Sequence, residues 1–278
     1  EYEMNEMENR MWLGTELYNG CFGKSFTQNE VNRIISYSDE IGVNKIDTAE
    51  CYGVEEVIGN SLKNKKDRFM VATKFGHEYH GMTKVNKFDL GSVRRQLETS
   101  LNLLKVDHIG LYYFHSGSNL EFKNDEVWGY LRSMQERGVI GELGLSLQHE
   151  LVHNEDYFQV NLAKDYGVSV IQTVLNMYTQ NSLKYVIPYC KENNIKVLGR
   201  IPLAKGLLSG KYKSNHMFDE NDCRSKSKKL NQNIIDSNRC DSVHTALAWC
   251  IKHVDEVVVG AKSNIQLYQN YNTINSLI

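Results

Sequence analysis

FMVAT, residues 69–73, is a short apolar run rich in strand formers. DLGSVRRQLETSLNLL, residues 89–104, follows it with Val93, Leu97, Leu101 and Leu104 at helical spacing. A strand followed by an amphipathic helix is the unit from which parallel sheets with right-handed crossovers are built. The same pairing recurs along the chain. WLGTEL precedes NEVNRIISYSDEIG, and KID precedes a helix expected over Glu55–Leu62. IGLYYF precedes a helix near 126–137, ELGLS one near 156–166, and VIQTVL one near 183–193. KVLGR precedes DSVHTALAWCIKH after a long gap, and EVVVG precedes SNIQLYQNY. These eight units predict a (β/α)8 TIM barrel, an α/β fold, as a single domain over residues 1–278. A doubly wound sheet is the alternative, but GTELYNGCFG lacks the GxGxxG spacing that such a fold would want after its first strand.

The composition agrees with a globular enzyme-sized chain. Of 278 residues, 41% are hydrophobic and 24% charged, enough for a sizeable core under a charged surface. The formal net charge of -2 gives no electrostatic reason to expect nucleic acid as a partner. No apolar run is long enough for a membrane span, so no membrane association is expected. The acidic opening EYEMNEMENR lacks the basic and apolar regions of a secretory signal. Six cysteines are scattered with no CxxC pair, as suits reduced thiols. The expected location is cytoplasmic.

A barrel of this type carries its chemistry at the C-terminal ends of its strands. In KIDTAECYG, residues 45–53, Asp47 ends the second strand and Tyr52 follows in the next loop. Lys74 ends the third strand in VATKFG, and His115 ends the fourth in LYYFHS. Four reactive side chains therefore converge on one rim. A free tyrosine has a pKa near 10, and a neighbouring ammonium favours the phenolate, so Lys74 is expected to lower the pKa of Tyr52. Asp47 would hold the ammonium in place, and His115 would hydrogen-bond a carbonyl oxygen. The set suits proton delivery to a carbonyl that receives a hydride. No side chain donates hydride, so a nicotinamide cofactor is implied.

With these residues in place, the sequence resembles the aldo-keto reductase family nearly end to end. IDTAECYG is similar to that family's DTAxxYG segment and EEVIG to the SExxLG that follows it. VATKFG resembles the lysine strand, and RRQLETSLNLLKVDHIGLYYFH the helix and strand ending in histidine. MQERGVIGELGLS, RIPLAKGLLSGKY and VVVGAKSNIQLYQN resemble GKIRxIGVSN, SPLAxGLLTGKY and the cofactor segment in turn. The resemblance implies a catalytic tetrad of Asp47, Tyr52, Lys74 and His115, with Tyr52 as proton donor. It implies that Ser146 and Gln172 hold the nicotinamide carboxamide. Pro202, Leu203, Gly206 and Lys211 would wrap the pyrophosphate, with Arg224 helping to close over it. Lys262 and Ser263 would meet the adenosine 2′-phosphate with Gln266 nearby, and Asn270 the adenine beside Gln269. Arg200 and Gly260, each at the end of a strand leading into these loops, join the cofactor set. GAKSN places backbone N–H groups and one cation at a helix start, so Lys262 favours NADP (NADPH) over NAD.

Some positions depart from the family pattern. Its SN pair reads Ser146-Leu147, its adenine-side glutamate reads Gln269, and its arginine beside the phosphate reads lysine. HELVH, His149–His153, fits the HExxH zinc motif, but no third ligand follows at a set spacing, so no metal is expected. RSKSKK, residues 224–229, reads as a solvated loop apart from its first residue. Tyr18, Phe22, Tyr79, His80 and Met82 suggest a partly aromatic pocket, with His77 on the same loop. Such a lining suits a small-molecule carbonyl substrate, a sugar among the candidates. The expected activity is NADP-dependent reduction of an aldehyde, ketone or keto sugar, or the reverse. The alternative is a cofactor-binding regulatory subunit with little turnover.

Overall fold

Apolar runs become strands, and the polar-flanked periodic segments between them become covering helices. The computed structural model describes residues 9–80, 83–237, 239–240 and 242–276. The strands in chain order are β1 (Met11–Gly14), β2 (Lys45–Asp47), β3 (Met70–Phe75), β4 (His77–His80) and β5 (Thr83–Asn86). They continue with β6 (Ile109–His115), β7 (Ile140–Ser146), β8 (Val168–Val174), β9 (Lys196–Arg200) and β10 (Glu256–Gly260). All but β4 and β5 close into one parallel barrel in the order β1-β10-β9-β8-β7-β6-β3-β2. The expected (β/α)8 barrel is therefore the fold.

The long helices are α1 (Gln28–Glu40), α2 (Glu55–Leu62), α3 (Leu90–Leu104) and α5 (Asp125–Glu136), with the short α4 (Asn119–Phe122) before α5. Then come α6 (His149–His153), α7 (Phe158–Leu162), α8 (Val186–Glu192), α9 (Lys228–Asp236), α10 (Val243–Ile251) and α11 (Asn264–Asn275). Local chemistry fixes their starts. Thr27 and Glu30 form a reciprocal capping box on α1, and Asp89 accepts from the Ser92 N–H at the start of α3. Among the described residues, no helix is long and apolar enough to cross a membrane.

Two cores result. Trp12, Ala72, Leu111, Tyr113, Val170, Leu198 and Val258 fill the barrel interior. A larger shell lies between strands and helices, where Phe75, Phe114, Phe122 and Trp128 pack ring against ring. At the lower end of the barrel Lys45 pairs with buried Glu256 at 2.7 Å, and the Trp12 indole N–H donates to the same carboxylate. The rim expected to carry Asp47, Tyr52, Lys74 and His115 is at the other end.

Three local expectations are corrected. The β3-to-α3 connection carries an antiparallel hairpin, β4–β5, entered at Gly76, whose φ is +126°. A Cβ on Gly76 would lie 2.0 Å from the Phe88 ring, so the turn needs glycine. The helix expected over 156–166 is shorter, the five-residue α7, and a separate short helix, α6, precedes it, with Glu155 at a left-handed φ of 59° between the two. Residues 224–229 are not an open loop. Cys223–Ser227 form a 3-10 turn leading into α9, with Arg224 buried and Lys226 to Lys229 exposed.

Candidate active site

The four residues expected on the rim arrive from β2, the turn after it, β3 and β6. Asp47 and Lys74 end adjacent strands, in register through the Asp47–Ala72 pair. The Lys74 ammonium donates to Asp47 Oδ1 at 2.8 Å and to the Thr48 carbonyl at 2.6 Å. Both side chains are deeply buried, Lys74 1% and Asp47 3% exposed. The second Asp47 oxygen accepts from Gln172 Nε2 at 2.8 Å. The carboxylate thus has a partner on each oxygen, which offsets the cost of burying it.

Tyr52 ends the short 3-10 turn Glu50–Tyr52, which closes at Gly53 in the left-handed region. Lys74 Nζ lies 5.2 Å from the centre of the Tyr52 ring. The expectation that Lys74 lowers the phenol's pKa is not met. Burial pushes Tyr52 well above its ordinary value of 10.0, with Glu16 and Asp47 adding to the rise and Arg200 opposing it. The physical reason is that burial penalises the phenolate by more than the nearby ammonium, already paired with Asp47, can offset. The phenol therefore stays protonated.

His115 reveals a partner that the sequence reading missed. Its Nδ1 lies 3.2 and 3.3 Å from the two oxygens of Glu50, and the Glu50 Oε1 also accepts the His77 N–H at 3.0 Å. Burial alone would raise the Glu50 carboxyl, but the charge and hydrogen bond of His115 outweigh it and Glu50 is held low. Burial draws His115 down against the pull of Glu50. An ionised Glu50 facing Nδ1 places the neutral ring's proton on Nδ1, which leaves Nε2 as an acceptor. His77 packs against His115 with ring centres 4.8 Å apart, and burial lowers its pKa to about 4. Glu50 was legible as a carboxylate in KIDTAECYG, three positions after Asp47, but nothing in the sequence places it against His115.

A cleft of about 350 Å³ opens beside these groups. Asp47, Tyr52, Gln172, Arg200, Pro202, Leu203, Gly206, Lys211, Arg224, Gly260, Lys262, Gln266, Gln269 and Asn270 all line it. Of the expected cofactor residues, Ser146 and Ser263 do not. Ser146 is buried on β7, in register between His115 and Gln172. The Ser263 hydroxyl caps α11 by accepting from the Gln266 N–H, and the Gln266 side chain accepts the Lys262 N–H at 2.9 Å. Lys74 and His115 sit behind the lining. Phe22 lines the cleft, but Tyr18 is buried against Phe26, and Tyr79 is exposed on β4. Met82 and the His80 side chain lie outside the described residues.

The far end of the cleft is cationic. Burial and the neighbouring Arg224 lower the pKa of Lys262, with Lys211 and Lys24 adding to the drop. Arg224 is held by Asp222 through contacts of 2.6 and 2.9 Å and donates to the Lys205 carbonyl and Tyr212 hydroxyl at 3.0 Å. Arg200 donates to the Leu147 carbonyl, while its buried Nε has no partner among the described residues. Crowded cations at the start of a twelve-residue helix make a site that an anion would relieve. The HELVH histidines lie 6.1 Å apart, ring to ring, on α6. Among the described residues they gather no third ligand. The one cluster of three ligand-type atoms among the described residues is Glu50, Cys51 and His115, within 4.8 Å.

Comparison with known proteins agrees with this architecture. A model of the aldo/keto reductase family matches residues 10–277. The chain is 28% identical to the NADP(+) aldo-keto reductase yakc of Schizosaccharomyces pombe, over 92% of this chain and 82% of that one. It is 25% identical to probable aldo-keto reductase 1 of Glycine max, over 86% and 74%. Among solved structures, a glycerol dehydrogenase from Gluconobacter oxydans superimposes with a TM-score of 0.76 at 26% identity, covering 97% and 86% of the two chains. An aldo-keto reductase from Bacillus halodurans in its holo form shares the fold, with a TM-score of 0.75 at 23% identity over 95% and 86%. The chain belongs to the aldo/keto reductase family of NAD(P)H-dependent oxidoreductases.

Proposed function

We propose that the protein reduces a small polyhydroxylated aldehyde or ketone to an alcohol, or runs the reverse reaction, with NADP as cofactor and Tyr52 as proton donor. The observation that carries this reading is the buried Lys74–Asp47 pair beneath Tyr52, next to a cleft whose far end is cationic. The residues present fit a phosphorylated dinucleotide. Lys262, Lys211 and Arg224 supply positive charge at the start of α11, and Arg200 has a free buried donor. Gln266 and Gln269 put no opposing carboxylate there. When bound, a nicotinamide supplies the hydride.

The remaining chemistry belongs to this chain. Tyr52 keeps its proton because its phenol is pushed up by burial. An alkoxide forming on a reduced carbonyl is more basic than an ordinary phenolate, which favours transfer of the Tyr52 proton to it. Lys74, fixed by Asp47 and the Thr48 carbonyl, stands 5.2 Å from the Tyr52 ring and stabilises the phenolate left behind. His115, oriented by Glu50, presents Nε2 as an acceptor when neutral, which suits holding an alcohol's hydroxyl in the oxidation direction. Donation to a carbonyl requires the imidazolium form, so the direction of reaction is coupled to pH.

The substrate class rests on the likeness to a glycerol dehydrogenase and on the polar side chains Glu16, Tyr52 and Gln172 within a largely apolar cleft lining. A cytoplasmic location accords with six cysteines that are all free thiols. Consumption of NADPH with a panel of aldehydes, hydroxyketones and keto sugars tests the assignment. Turnover of a short hydroxyaldehyde or hydroxyketone is expected. NADPH binding with no turnover on any of them would point instead to a cofactor-binding regulatory subunit.

A further inference from the structure

Two cysteines far apart in sequence meet at the edge of the cleft. Cys21 lies in the β1-to-α1 loop and Cys223 in the long segment after β9. Phe22 bridges Asp222 in antiparallel fashion, and the Cys223 N–H donates to the Cys21 carbonyl at 2.7 Å. This places Cys21 and Cys223 directly opposite each other on one side of a two-residue ladder. Opposed residues of this kind have Cα atoms about 5.5 Å apart, inside the range a disulfide spans. The two thiols are close enough to perturb each other electrostatically, and both are free and partly exposed. Both loops also reach the cleft. Phe22 and Arg224 line it, with the Arg224 guanidinium 5.5 Å from the Phe22 ring. The contact between the loops therefore forms one wall of the cleft. Gly20 and Gly23 flank the contact at φ of 91° and 82°, in a tip with little apolar burial to hold it.

We propose that Cys21 and Cys223 form an oxidation site whose intramolecular disulfide latches the two loops together and slows exchange of the dinucleotide. The oxidant is a small disulfide such as oxidised glutathione. The Cys223 thiolate attacks one glutathione sulfur, which forms a mixed disulfide and releases one glutathione thiolate. The Cys21 sulfur, after losing its proton to solvent, then displaces the second glutathione. Two protein thiols lose two electrons and two protons, and the glutathione disulfide becomes two thiols. Burial and the Glu16 carboxylate push the Cys21 thiol up, so it is the poorer first nucleophile and takes the second step. Neither cysteine touches Tyr52, Lys74 or Asp47, so the latch governs cofactor entry and release and leaves the chemical step alone.

The latch rests on the assignment of the cleft to NADP, and the test separates the two. Reduced, cofactor-free protein and its Cys21→Ser and Cys223→Ser variants are incubated with excess oxidised glutathione. They are then mapped as peptides without reductant and mixed with NADPH in a stopped-flow fluorimeter. The parent is expected to give a linked Cys21–Cys223 peptide and NADPH association and release slowed by about tenfold or more, as when loop opening becomes limiting. Dithiothreitol should restore the rates, and both variants should exchange NADPH at the reduced rate throughout. Only glutathione adducts, or a linked peptide with unchanged exchange, overturns the latch alone. A reduced protein that binds no NADPH overturns the cofactor assignment and the latch with it.

Discussion

Replacing Lys74 with Met isolates what the buried ion pair does. Met is similar in length and apolar, so Lys74→Met leaves little cavity in a site where the side chain is 1% exposed. It removes the donor to Asp47 Oδ1 and to the Thr48 carbonyl. Asp47 then keeps only Gln172 and stays buried with its charge uncompensated. Breaking a buried pair by deleting one partner costs about 3–5 kcal/mol, and the orphaned carbonyl lies within that figure. Urea unfolding followed by tryptophan fluorescence reads the loss as a lower midpoint at unchanged slope. The double variant Asp47→Asn/Lys74→Met removes both charges and should recover at least about half of that stability. It should not recover rate, because the phenolate left by Tyr52 would still lack its cation. A Lys74→Met cost below about 1 kcal/mol, or a double variant no more stable than the single one, would refute the reasoning that the two charges compensate each other in the barrel.

Two further outcomes are expected. His77 is 4% exposed with a pKa of about 4, so between its unfolded value near 6.5 and that value the unfolded chain holds a proton that the folded chain does not. Stability from this group is present above about pH 6.5 and is lost as pH falls through that window, by at most about 3 kcal/mol, and His77→Asn should flatten the pH dependence of unfolding measured there. Lys262→Glu puts like charge beside a 2′-phosphate and should weaken NADPH binding by about tenfold more than NADH binding in fluorescence titrations, whereas equal losses would contradict the NADP assignment.

The legible parts of the molecule were those with strong period or fixed position. The β3 and α3 signals survive in isolation because Val93, Leu97 and Leu104 all face the core. The rim residues were legible because each lies at or just after the C-terminal end of a strand, and those ends share one rim in a closed parallel barrel. The β4–β5 hairpin was hidden because its strands are short and largely exposed, with no apolar alternation to announce them. The break between α6 and α7 holds Glu155 in a left-handed conformation that no residue type there predicts. Glu50 and the direction of the Tyr52 pKa were illegible for a different reason. Both depend on how chain segments pack: Glu50 against His115 across the rim, and Tyr52 buried beside a Lys74 already paired with Asp47.

The most direct test of the central claim is single-turnover oxidation of bound NADPH by an accepted carbonyl substrate in Tyr52→Phe. The variant keeps the ring beside Lys74 and loses only the hydroxyl. NADPH is expected to bind nearly as in the parent, while the chemical step slows by about 10²- to 10⁴-fold, the usual cost of removing a positioned acid. A Tyr52→Phe protein whose chemical step stays within about threefold of the parent would contradict the account and return KIDTAECYG to a structural turn.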